Sequence, residues 1–250
     1  MSSLSFALIV KDEELSLKRC LDSIINIADE IVIVDTGSTD RTKEIAIQYT
    51  NKVYDFPWID DFSAARNFSF DQCTKDFIFW LDADDEILPK DQEKIKNLDL
   101  TNRQVVLCKY QYSHDEFGVP ECTLERERII KRSLGLKWQK AIHEYLPIDN
   151  TLVSREDIEV HHWKKHGTSE RNIKILEKTI KTDKDSRNFY YLGKEYFDFG
   201  MVKEAIDCLE KFVKMNGFWE DVFAAHEIIA KAYFNQGNID KFLENLFISI

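Results

Sequence analysis

The sharpest chemistry in the sequence is the run Leu81-Asp82-Ala83-Asp84-Asp85-Glu86, which directly follows the apolar segment Phe77 to Leu81. Carboxylates spaced Asp-x-Asp aim two oxygens at one hard cation, and Mg²⁺ or Mn²⁺ held that way can bridge a diphosphate. An acidic run by itself is more often a solvated turn whose aspartates cap a helix. Its position after a buried strand distinguishes this one, because ligands of open α/β sheets sit at the carboxyl ends of the strands. Val34-Asp35-Thr36-Gly37-Ser38-Thr39-Asp40 repeats the situation after a second apolar run. There Asp35 can accept from a base or a ribose hydroxyl while Gly37 lets the chain turn tightly; the same residues also make a competent N-cap turn. A third apolar run ends in Val10-Lys11-Asp12-Glu13-Glu14, whose backbone can line the same crevice. Lys11 is the nearby cation there, and a solvated lysine is the plainer explanation.

These three turns need a sheet to bring them together, and the spacing supplies one. Phe6 to Val10 precedes Leu17, Cys20, Leu21 and Ile24, separated by three and four like one face of a helix. Ile31-Val32-Ile33-Val34 is β-branched throughout, which predicts a strand buried on both faces. A helix with Ile45, Ala46 and Tyr49 inward, a short strand at Val53-Tyr54 and a fourth at Phe77 to Leu81 follow. Alternating strands and helices predict βαβ units, a mostly parallel sheet and right-handed crossovers. Val105 to Tyr110, Arg128 to Lys131 and Ile158 to Val160 read as further strands in less regular sequence, so the sheet is expected to be mixed.

Beyond about Gly167 the strands stop. Ile173, Leu176 and Ile180 mark an amphipathic helix. Tyr196 recurs as Tyr233 and Gly200 as Gly237, both 37 residues apart, which predicts a helix–turn–helix repeat with glycine ending each first helix. The expected division is therefore an α/β domain over 1–166 and a helical-repeat region over 167–250. Its end at Phe247-Ile248-Ser249-Ile250 is apolar and without a cap, so an incomplete repeat is expected, or one covered by a homodimer or protein partner.

Composition narrows the partners. Lys and Arg number 34 against 45 Asp and Glu, a net charge of -11, which repels a phosphate polymer and disfavours nucleic acid. One phosphorylated ligand stays compatible, because a bound cation reverses the local sign. The apolar runs fall short of the roughly 20 residues of a membrane span. The five cysteines are scattered and never spaced as CxxC, as in reduced thiols of a cytoplasmic protein, and no zinc site is expected.

Taken in order, "LIVKDEE", "CLDSI", "IVIVDTGSTDRTKEIA", "ARNFSF" and "FIFWLDADDE" resemble a family 2 glycosyltransferase of the GT-A fold over roughly residues 4 to 90. "KWQKAIHE" and "IEVHHWKKHGTSERN" followed by helices are similar to bacterial members with a tetratricopeptide-like tail. The resemblance implies a Rossmann-like GT-A sheet and transfer of a sugar from a nucleoside-diphosphate donor, a UDP-sugar, to a peptide or protein, lipid or glycan. Asp35 and Gly37 would meet the base, with Val10, Lys11 and Glu13 as the other wall. Arg66 and Asn67 match the family's "RN" pair near the nucleotide-sugar. Asp82, with Ala83 beside it, would lie near the ribose or sugar, and Asp84 on the Mn²⁺ or Mg²⁺. His161 matches a histidine that completes the metal site, with His162 the competing candidate. An inverting transfer also needs a base, and Glu144 in the Trp138 to Glu144 segment is the choice, with Trp138 and His143 beside the sugar. A non-catalytic nucleotide-sugar-binding scaffold whose helical repeats recruit a partner is the alternative, disfavoured by the Asp-x-Asp, the Asp35 turn and Arg66-Asn67. A nucleotidyltransferase is disfavoured further, since no Gly-rich, Arg-containing loop follows the first strand. A processive membrane synthase is disfavoured too, because no QxxRW motif follows the acidic turn.

Overall fold

The apolar run Leu4–Val10 forms β1 and Glu30–Asp35 forms β2, and both are buried along nearly their whole length. That is the burial that strands covered on both faces require. In this computed structural model the described residues are 2–163, 170–215 and 217–248. The chain divides into two compact units, Met1–Lys165 and His166–Ile250. The boundary expected between 166 and 167 lies outside the described residues, as does the Ser249-Ile250 end.

In the first unit, α1 (Leu17–Ile24) links β1 to β2, and α2 (Thr42–Ala46) links β2 to β3 (Val53–Asp55). The helix α3 (Phe62–Gln72) leads into β4 (Phe77–Asp82), and a two-residue strand β5 (Asp85–Glu86) precedes α4 (Pro89–Lys96). Then come β6 (Val105–His114), β7 (Pro120–Lys131) and β8 (Val153–His162). They build one mixed sheet in the order β3-β2-β1-β4-β7-β6-β8-β5. Strands β1, β2, β3 and β4 run parallel, while β7 is antiparallel to both β4 and β6. The chain order reverses beside β1, which puts a crevice at the carboxyl ends of β1, β2 and β4. Register makes those ends flush: Val10 pairs with Asp35, and Ile9 with Asp82.

Alternation decides what each face receives. Phe77, Phe79 and Leu81 join Phe6, Leu8, Leu17 and Leu21 in one core cluster. Ile78 and Trp80 join Phe70 and Trp138 in the other. Asp82 has the parity of Ile78 and Trp80, so it emerges on the α3 side of the sheet. The later strands outrun their apolar signal. β7 starts at Pro120 rather than near Arg128 because its first half is an exposed, polar hairpin arm paired with β6. β8 likewise starts at Val153, and β5 is too short to show any period.

The second unit is helical: α5 (Glu170–Thr182), α6 (Ser186–Asp198), α7 (Val202–Lys214), α8 (Trp219–Asn235) and α9 (Ile239–Ile248). The repeat expected from the glycines has matching turns. Gly200 and Gly237 adopt φ of 82° and 73°, and Met201 N and Asn238 N donate to Tyr196 O and Tyr233 O at 2.8 and 3.0 Å. Left-handed backbone is open to glycine without a Cβ penalty, and these bonds satisfy carbonyls the helix would leave bare. Among the described residues no helix is long and apolar enough to cross a membrane.

Gly193 lets α6 and α7 approach, since a Cβ there would sit 2.5 Å from Leu209 Cγ and 3.3 Å from Leu209 N. Alanine gains up to about 1 kcal/mol of helix propensity, but the overlap costs roughly 1–3 kcal/mol. Gly193→Ala is therefore expected to destabilise the helical unit, read as an earlier urea transition in the full chain. An unchanged or later transition would show that Leu209 moves aside freely.

Candidate active site

At the β1–β2 end of the crevice, Asp35 is 3% exposed and its Oδ1 accepts from Gly37 N and Ser38 N, both at 2.7 Å. Gly37 takes φ of 102°, which is why that turn wants glycine. Val10 O receives Thr36 N at 2.9 Å, and Lys11 Nζ donates to Gly37 O at 3.1 Å. Glu13 N donates to Thr42 Oγ1 at 2.6 Å. Thus Val10, Lys11, Glu13, Asp35 and Gly37 are drawn together from two loops. Asp35 Oδ2 is buried with no hydrogen-bond partner among the described residues. A buried carboxylate oxygen left so is an acceptor awaiting a donor, such as a base N–H or a ribose hydroxyl.

A second group forms around α3. Asp61 caps that helix by accepting from Ala64 N at 3.0 Å. One turn on, Arg66 is buried and donates through Nε to Glu144 Oε1 at 2.6 Å and through Nη2 to Asp82 Oδ1 at 2.7 Å. Asn67 exchanges two bonds with the Trp138 backbone, at 3.0 and 2.8 Å, and so fixes the start of the Glu144 loop. That loop closes through bonds between Gln139 and Tyr145, with Lys140 and His143 in left-handed backbone at φ of 76° and 51°. Non-glycine residues held there are strained, a cost found where a loop must present a particular side chain. Trp138 does not offer a ring to a sugar: it is 3% exposed and packs edge-on against Phe70 and Trp80. Ala83 is also buried, inside the core cluster on the α1 side.

The third group is the acidic turn. Asp82, Asp85 and His162 bring ligand atoms within 4.8 Å of one another, and Asp84 Oδ1 lies 3.3 Å from His162 Nδ1. His161 is turned elsewhere. Its Nδ1 meets His114 Nε2 at 3.0 Å, and its ring stacks in line with His114 and Trp163. Strand pairing gives the reason: Asp85 opposes His162 and Glu86 opposes His161, and adjacent residues of a strand point to opposite faces. The histidine among the carboxylates is thus His162, and the expectation of His161 in that position is corrected.

Burial and the neighbouring Asp82 and Asp85 raise the Asp84 carboxyl to about 6, although His162 pulls the other way. For Asp82 burial is outweighed by Arg66 and Arg128, which hold it well below the usual carboxylate range. Burial also opposes charge on His162, yet Asp85, Asp84 and Asp82 raise it above its ordinary value. With His162 neutral, two arginines, Arg66 and Arg128, face four carboxylates, Asp82, Asp84, Asp85 and Glu144. Among these described side chains the carboxylates outnumber the arginines by two, a difference that one divalent cation or two protons would meet. Oxygen and imidazole donors of this kind suit Mn²⁺ or Mg²⁺.

Tyr110 and Arg128, on β6 and β7, belong to this group but were absent from the sequence expectations. Arg128 was legible only in part: it opens the apolar strand segment with the parity of Ile130, a charge where a core residue belongs.

The family model for Glycosyl transferase family 2 matches residues 5–161. The chain belongs to glycosyl transferase family 2. This family-2 chain is 32% identical to a TPR repeat-containing protein of Synechococcus elongatus over 160 residues, 64% of this chain and 38% of that one. The glycosyltransferase SunS of Bacillus subtilis, of SPbeta prophage origin, is 25% identical over 241 residues, covering 84% of this chain and 53% of SunS. The chain thus spans between 38% and 53% of the length of these relatives. In fold it is similar to S. aureus TarS 1-349, solved in complex with UDP-GlcNAc, with a TM-score of 0.55 at 17% identity over 97% of this chain and 90% of that one.

Arg66→Leu should leave Asp82 and Glu144 partly buried and uncompensated, lowering stability at pH 7 by about 2–4 kcal/mol. The Asp82 carboxyl is depressed in the folded chain, so its stabilisation is present above the ordinary carboxylate value and lost as pH falls through the folded one. The gap between wild type and variant in urea unfolding should accordingly narrow below about pH 4.

Proposed function

We propose that this chain transfers a sugar, with inversion, from a UDP-sugar to a nucleophilic acceptor in a divalent-cation-dependent reaction. The observation that carries the reading is the gathering of Asp82, Asp84, Asp85 and His162, beside an unsatisfied Asp35 oxygen, at the carboxyl ends of the parallel strands of the sheet. Family membership and the likeness of fold to TarS, whose structure holds UDP-GlcNAc, support it.

In this reading Asp35 Oδ2 accepts from the base or ribose, with the loops after β1 and β2 as walls. Asp84 and His162 would hold Mn²⁺ or Mg²⁺, which would supply neutralisation of the negative charge that gathers on a departing diphosphate. Arg66 fixes Asp82 and Glu144 relative to each other and, with Arg128, holds the Asp82 carboxyl below the usual carboxylate range. Glu144 uses Oε1 for Arg66, so Oε2 is the oxygen that takes the acceptor proton. The acceptor atom bonds to the anomeric carbon as the bond from that carbon to the diphosphate oxygen breaks. The electron pair leaves with UDP, and the proton ends on Glu144.

A panel of nucleotide-sugars incubated with Mn²⁺ should give UDP release from a UDP-sugar. Asp84→Asn should abolish it while keeping a cooperative melt, and excess EDTA should do the same. Full turnover in the variant, or in EDTA, would sink the reading. Pyrophosphate in place of UDP would assign nucleotidyl transfer instead.

Cation binding should release protons, because Asp84 titrates near 6 and His162 above its ordinary value. The folded Asp84 value is raised, so its contribution to stability is present in acid and lost as pH rises through about 6, and a bound cation reverses that loss. The logarithm of Mn²⁺ affinity should therefore climb by about one to two per pH unit below pH 6. Titration calorimetry in buffers of different ionisation enthalpy reads this directly; a pH-independent affinity contradicts it.

A further inference from the structure

Asp85 is the deepest carboxylate of the acidic turn, with a side chain that is 0% exposed. Its Oδ2 accepts from Asp82 N at 2.9 Å and faces Arg128 Nη1 at 3.1 Å. Its Oδ1 accepts from Tyr110 OH at 3.1 Å and meets His162 Nδ1 at 3.1 Å. Three of these contacts are hydrogen bonds and the fourth, to Arg128, is an ion pair, so both carboxylate oxygens are engaged. The four partners come from four different strands, β4, β7, β6 and β8. Asp84, by contrast, has its backbone fixed, since Trp163 N donates to Asp84 O at 3.0 Å, while among the described residues its carboxylate pairs with the His162 imidazole at 3.3 Å.

The anchor behind Asp85 is rigid. Arg128 is fully buried, donates to Trp80 O at 3.1 Å and lies between the Trp80 and Tyr110 rings, 3.9 and 4.2 Å from their centroids. A guanidinium clamped between two aromatic faces keeps its charge and has nowhere to slide. We propose that Asp85 is a positioning residue, held by Arg128 and Tyr110, that sets Asp84 and His162 for the divalent cation without ligating it. A carboxylate that fixes a ligand histidine and the backbone of a ligand turn is a recurrent outer-shell arrangement of metal sites. The inference rests on the cation-dependent reading above.

Tyr110→Phe separates the two roles of Asp85 by sign. If Asp85 were a ligand, removing the phenol hydroxyl would free a lone pair and leave Mn²⁺ affinity equal or higher. If Asp85 positions, losing one of its four restraints should weaken Mn²⁺ binding by roughly tenfold. The measurement is free Mn²⁺ by electron paramagnetic resonance during titration of the full chain at pH 7.5, with circular dichroism confirming the fold. Affinity in folded Tyr110→Phe equal to or above wild type overturns the proposal. Arg128→Lys retains the charge but loses the clamped fork, and it too should bind roughly tenfold more weakly. Wild-type affinity in that folded variant likewise overturns it. A wild-type chain that binds no Mn²⁺ at all fails the cation reading itself, and the proposal with it.

Discussion

Burying carboxylates at the end of a sheet is the constraint on which the rest of this structure depends. An unpaired ion moved from water into a protein interior costs several kcal/mol even after relaxation. Here Asp82, Asp85 and Glu144 escape that cost through two arginines from different elements, Arg66 on α3 and Arg128 on β7. Both guanidiniums also lie over Trp80, at 4.7 and 3.9 Å. One indole therefore packs against both guanidiniums, and its own N–H is bound to Glu127 O. Asp84 is the carboxylate left outside this compensation, and its raised titration is the direct result.

The sheet explains how so many polar groups reach one place. Parallel β1, β2 and β4 end level, and alternation sends Asp82 towards α3 and Leu81 towards α1. The antiparallel half then brings Arg128, Tyr110 and His162 in from the far side, through β7, β6 and β8. The Asp35 wall and the acidic turn are thus built from local loops on the parallel strands. Their charge partners come from elements as much as 78 residues away in sequence, as with Arg66 and Glu144.

The helical unit follows a different logic. Its turns repeat because the same glycine conformation and the same backbone bonds recur at Gly200 and Gly237. Its interior, with Leu209, Phe212, Ile229 and Tyr233, is filled by residues at helical spacing, so each pair of helices needs its neighbour to bury a face.

The amino-acid sequence by itself determined the elements of the parallel half, the helices of the tail and the local turns. Unbroken β-branched runs can only be doubly covered strands, Gly37, Gly200 and Gly237 mark left-handed turns, and Asp-x-Asp after an apolar strand marks a strand-end site. These are short-range consequences of sterics and hydrophobic period. Tertiary structure alone decided which carboxylates are compensated and which histidine faces them. Asp84 and Asp85 are chemically identical neighbours, and so are His161 and His162; strand pairing and alternation turn one of each pair inward to Arg128 and Tyr110 or to His114. Trp138, open in sequence to stacking on a sugar, became core for the same reason: Phe70 and Trp80 claim its edges once the chain has closed. Long-range partners of this kind leave no periodic trace in the chain, because register between distant strands is set only when the sheet forms.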